Sequence, residues 1–127
     1  MGYVHPVKKN LVSVYKVETW QGAGPYNAKY VTLERMHDAH ERTRPKPSAD
    51  GIPRLLSSEV CGFATREELD EWFRGFKRAL YAEGFNIARY AVPSHLVRYG
   101  RTQLVFERKD LIPTSRFPMI RNGKVIR

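Results

Sequence analysis

A chain of 127 residues is most simply one domain, and 42% hydrophobic with 12% aromatic residues supplies enough apolar material for one core, which excludes a disordered chain. No apolar run approaches the ~18 residues of a membrane span, and the single cysteine, Cys61, excludes an internal disulfide. A formal net charge of +9 draws polyanions and acidic surfaces without saying which.

The first ten residues, MGYVHPVKKN, carry neither the apolar core of a secretory signal nor the Ser or Thr that myristoylation needs at the sixth position. The expected compartment is the cytoplasm, with no membrane partner. LVSVYKVE (11–18) is mostly apolar on both alternating faces and reads as a central strand covered on both sides. Glycine and proline in GAGPY (22–26) end that strand in a turn. KYVTLE (29–34) is a candidate short strand, and the polar, proline-bearing residues 35–58 read as a functional flap or a disordered insert.

ATREELDEWFRGFKRALYAEGF (64–85) predicts one main amphipathic helix over 65–82. Thr65 and Glu68 make a capping box, and Leu69, Trp72, Phe73, Phe76 and Leu80 share one apolar face. Gly75 weakens the helix by up to ~1 kcal/mol, which that stripe is expected to outweigh, and Gly84 can end it in the left-handed conformation. FNIARYAV (85–92) leaves as a strand, PSHLV (93–97) is a turn or helical knuckle, and TQLVFER (102–108) is the last strong strand, with Leu104 and Phe106 facing the core. Asn122-Gly123 marks a two-residue hairpin turn in the terminal segment.

This order gives an α+β fold, a small mixed or antiparallel β-sheet packed on one amphipathic helix. The division is a single α+β domain over 1–112 with its polar flap, then a basic C-terminal hairpin or tail over 113–127. His37, Asp38 and His40 lack the second close pair of a zinc site, so no metal is expected. Cys61 reads as a small buried residue entering the helix. No glycine-rich phosphate loop or nucleophile elbow is present.

VYKVETWQGAGPY, then His40, Pro45 and Asp50, then CGFATREELDEWF, GFNIARYAVP and GRTQLVF together resemble a group of small uncharacterised bacteriophage and prophage proteins. In that group the first strand looks like Tyr-Arg-Val-Glu, with Lys16 here at the arginine position. The resemblance covers roughly residues 11–107 and implies a viral protein acting in the cytoplasm of a bacterial host.

The order of elements also resembles ADP-ribosyltransferase-like domains. That likeness implies Lys16 as the basic residue toward NAD, Tyr26 as a stacking aromatic, Thr65 as the polar residue at the helix start and Gln103 at the position of a glutamate. These are the candidate catalytic residues, and NAD is the one cofactor the layout implies. An amide cannot supply the full negative charge an oxocarbenium-like transition state calls for, which costs a few kcal/mol. Efficient catalysis is therefore not expected.

Three functional readings follow. The first is a virus-type accessory protein that binds a host protein or nucleoprotein complex and inhibits a defence or nucleic-acid-processing system. The second is an ADP-ribosyltransferase-like, NAD- or nucleotide-binding protein or weak enzyme. The third is a basic nucleic-acid-binding protein. Partner-binding candidates are Arg42, Arg44, Lys46, Arg54, Arg116, Arg121, Lys124 and Arg127.

Overall fold

The first long strand, β1 (Leu11–Thr19), forms where the sequence is apolar on both alternating sets, and it runs antiparallel to β3 (Phe85–Pro93) from Leu11↔Pro93 to Thr19↔Phe85. The computed structural model describes residues 10–25, 50–52, 54–56 and 58–126. The candidate strand at 29–34, most of the flap, the His37–His40 group, Tyr26, Arg42, Arg44, Lys46 and Arg127 lie outside the described residues.

Among the described residues every strand pairing is antiparallel. β1 and β6 (Ser115–Phe117) flank β3 in one sheet; β2 (Glu59–Gly62) and β4 (Val97–Tyr99) flank β5 (Leu104–Glu107) in a second. β7 (Ile120–Arg121) and β8 (Lys124–Val125) form the hairpin at Asn122-Gly123, whose φ values of 52° and 76° suit the turn that matches strand twist. A bridge between Tyr15 and Phe63, with reciprocal 2.8 Å backbone hydrogen bonds, ties the two larger sheets together. Gly62 permits that approach: a Cβ there would meet Val14 Cγ1 at 2.8 Å and the Tyr15 carbonyl at 3.1 Å.

The apolar stripe predicted for 65–82 is real, but the helix is not continuous. α1 (Arg66–Trp72) and α2 (Lys77–Ala82) are separated by a turn in which Gly75 has φ +84°. The left-handed residue interrupts the hydrogen-bond ladder. Leu69 and Trp72 of α1 and Leu80 of α2 are still buried, so burial fixes the face each piece presents without requiring one unbroken axis. Gly84, at φ +92°, ends α2 as expected.

β1 separates two cores. Val17, with Phe63, Leu69, Trp72, Phe73, Leu80, Phe85 and Ile87, packs with the helices. Val14 packs with Tyr90, Val92, Leu104 and Phe106 toward the second sheet. Leu104 and Phe106 are buried as expected, and Val105 is buried as well, so β5 is covered on both faces. Residues 94–96 form one 3-10 turn. β6 belongs to the β3 sheet, through Ile87↔Phe117 and Arg89↔Ser115.

Candidate functional site

Alternation along β1 places Val14, Lys16 and Glu18 on one face, and the last two are charged yet buried. Glu18, fully buried, is a hub. Its Oε2 accepts from the Tyr90 hydroxyl at 2.7 Å and lies 2.9 Å from Arg116 Nη2; its Oε1 accepts from Arg108 Nε at 3.3 Å and lies 3.4 Å from Lys16 Nζ. One carboxylate thus faces three cations. Burial pushes its carboxyl up, but Lys16, the Tyr90 hydroxyl and Arg108 outweigh that and hold it below its ordinary value of 4.5. Burial draws the Lys16 ammonium down from 10.5, and Glu18 restores only part of the loss. Burial, with the bond to Glu18, pushes the Tyr90 phenol up to about 12, so it stays a donor.

The turn after β1 lies against this cluster. Gly22, at φ +88°, leaves room for Arg108: a Cβ would sit 2.3 Å from its Nη2. Arg116 also donates to Asn86 Oδ1 at 2.9 Å and to the Thr19 carbonyl at 3.3 Å, and its guanidinium stacks 5.1 Å from the ring centroid of the exposed Trp20.

Where β1 and β2 diverge beyond the Tyr15–Phe63 bridge, a cavity of about 510 Å³ opens. Its apolar wall is Val17, Phe63, Trp72 and Phe73; its polar wall includes Lys16, Glu59, Cys61 and Gln103. Glu59 is neutralised by Arg98, which donates Nε at 2.9 Å and Nη2 at 2.6 Å, and these bonds hold its carboxyl below 4.5. Cys61 lies half-buried in β2 rather than fully buried at the helix entry, and the partial loss of solvent pushes its thiol up to about 11. At neutral pH it is protonated and a poor nucleophile.

The structure therefore brings Lys16 and Gln103 to one cavity. Gln103 is held there by Asp50, whose carboxylate accepts from the backbone N–H groups of Thr102 and Gln103 at 3.0 Å. Thr65 serves the helix start: its hydroxyl accepts from the Glu68 N–H at 3.1 Å and donates to the Glu68 carboxylate at 3.2 Å. Arg116 is largely buried in the Glu18 cluster. Arg54 is exposed, with φ 38° and its carbonyl accepting from Arg98; Arg121 and Lys124 are exposed and paired across the hairpin. Sequence reasoning missed Glu18, Tyr90, Arg108 and Asp50 as organising residues. The available signal was Lys16 and Glu18 two apart on a strand otherwise read as buried on both faces.

The family model of the Bacteriophage T4 Y00F protein matches residues 10–120. This chain belongs to that family. The Y00F family is an uncharacterised phage family, as the resemblance over 11–107 implied. No curated protein and no solved structure matches. The Y00F match spans β1 through β6, so it contains the Glu18 cluster and the cavity and leaves out Arg121, Lys124 and the second hairpin strand. Among the described residues of this Y00F-family chain, no helix is long and apolar enough to cross a membrane, and no group of three or more His, Cys, Asp or Glu could hold a metal ion.

Proposed function

We propose that the chain is a phage accessory protein that binds a host protein or nucleoprotein complex and inhibits a defence or nucleic-acid-processing system. One observation carries this reading: the two carboxylates and the thiol at and beside the cavity are each already taken up, so none of them is poised as a base or nucleophile. Glu18 is engaged by three cations and a phenol, Glu59 by Arg98, and Cys61 stays a thiol. Spent groups favour recognition over bond-breaking. The net charge of +9, with exposed Arg54, Arg121 and Lys124, supports an acidic partner surface.

The shared cavity of Lys16 and Gln103 favours a second reading, an NAD- or nucleotide-binding protein. Capture on the tagged protein from a bacterial host lysate, with and without nuclease and across a salt series, separates these. A stoichiometric host protein that survives nuclease, is released by salt and is lost with R121E/K124E at unchanged Tm supports the first reading. Label transfer from NAD, or stabilisation by NAD of about 2.7 kcal/mol at 100 times its Kd, replaces it with the second. Capture that disappears on nuclease treatment replaces it with direct nucleic-acid binding.

A further inference from the structure

The cavity beside β1 contains one charged group whose partners leave it short. The Lys16 side chain is 4% exposed, and among the described residues its ammonium makes two contacts, both at 3.4 Å: Glu18 Oε1 and the carbonyl of the adjoining Val17. Charge-assisted hydrogen bonds normally close to about 2.7–2.9 Å. Glu18 takes its shorter contacts from Tyr90 at 2.7 Å and Arg116 at 2.9 Å. A buried ammonium is costly unless it is paired and fully hydrogen-bonded, so Lys16 brings unspent donor capacity to the cavity wall.

Two neighbours keep that capacity usable. Gly24 also lines the cavity, and a Cβ there would stand 3.1 Å from Lys16 Nζ, so the glycine leaves the approach open. Glu59 would repel an anion on the same wall, but Arg98 neutralises it. Facing these polar groups are the rings of Phe63, Trp72 and Phe73.

We propose that this cavity binds a small organic carboxylate, its apolar body against Phe63, Trp72 and Phe73 and its carboxylate accepting from Lys16 Nζ. The volume of about 510 Å³ lies within the usual range of small-molecule sites. A point-charge ammonium opposite an apolar wall suits a compact monoanion. Phosphates are more often met by forked guanidinium groups or by nests of backbone N–H groups. The ligand site stands whether or not a host macromolecule is bound.

The chain has two tryptophans, Trp72 in the cavity and Trp20 exposed, so Trp20→Phe leaves Trp72 as the sole reporter. This variant is titrated with 3-phenylpropanoate and with its neutral counterpart, 3-phenylpropan-1-ol, following Trp72 emission. The carboxylate is expected to bind saturably and about tenfold more tightly than the alcohol. Lys16→Met should bring the two to parity. Gly24→Ala, whose Cβ would crowd Lys16 Nζ at 3.1 Å but has no contact with Glu18, Tyr90, Arg108 or Arg116, should weaken the carboxylate more than the alcohol. Equal affinities in the Trp20→Phe protein, no saturable change with the carboxylate, or unchanged selectivity in Gly24→Ala would each overturn the proposal.

Discussion

The Tyr90 hydroxyl donates to Glu18 Oε2 at 2.7 Å, although the rung opposite Tyr90 belongs to Val14. The ring leans along the shared face of β1 and β3 past Lys16 and Ala88, and Arg108 stacks 5.4 Å from its centroid while also bonding Glu18. This joins the end of β1 to both β3 and the segment after β5. Glu18→Gln leaves three cations around a neutral amide and should cost about 3–5 kcal/mol, the usual cost of breaking a buried pair. Tyr90→Phe removes the bond donated to Glu18 and the one accepted from Arg108 Nε at 3.0 Å, leaves the carboxylate its three cations, and should cost about 1.5–3 kcal/mol. Urea unfolding of both variants checks the order.

Stability should fall at both ends of the pH scale. Glu18 and Glu59 are held below 4.5 in the folded chain, so as pH drops the unfolded chain takes up protons first. Their stabilisation is present above 4.5 and is lost as pH falls through the lower folded values. Tyr90 acts in the other direction: raised from 10 to about 12, it stabilises below 10, and that contribution is lost as pH rises toward 12. Lys16, lowered from 10.5, opposes this at alkaline pH, because its charging cost is relieved as it deprotonates. Thermal unfolding from pH 3 to 7 should show a falling Tm on the acid side, with a smaller drop in Glu59→Gln.

Gly75→Ala should destabilise by about 1–2 kcal/mol, because φ +84° is left-handed backbone. No atom lies within 4 Å of a Cβ built there, so the cost is conformational rather than a clash. Gly75→Asn, which tolerates that region better, should cost less. Equal stability of Gly75→Ala and the parent chain would argue that the helix break moves.

Local signals in the sequence were legible where their physics is local. The Thr65–Glu68 cap, the Asn122-Gly123 turn and the apolar stripe all depend on residues within a few positions of one another. The break at Gly75 was not legible, because a glycine inside a helical pattern is compatible with both a weakened helix and a left-handed turn. Glu18 was missed for a different reason: its partners are Tyr90, Arg108 and Arg116, on segments that only the folded sheet brings together. The cavity likewise depends on β1 and β2 parting after a bridge that strand periodicity does not encode.

Asp50 tests how Gln103 is positioned. Its carboxylate accepts from the Thr102 and Gln103 N–H groups and from the Thr102 hydroxyl at 3.0 Å. Asp50→Ala strands buried donors and should cost about 1.5–3 kcal/mol in urea unfolding. Gly100→Ala should also destabilise, since a Cβ there would fall 2.4 Å from Asp50 Oδ2.

The cluster at the end of β1 requires Glu18 to be an ionised, buried counter-charge to Lys16, Arg108 and Arg116. A carbon-13 NMR titration of the Glu18 side-chain carboxyl in the folded protein measures this directly. The carboxyl signal is predicted to keep its ionised shift as pH falls past 4.5. Titration at or above that value would show that the cations do not hold the charge and would contradict the account.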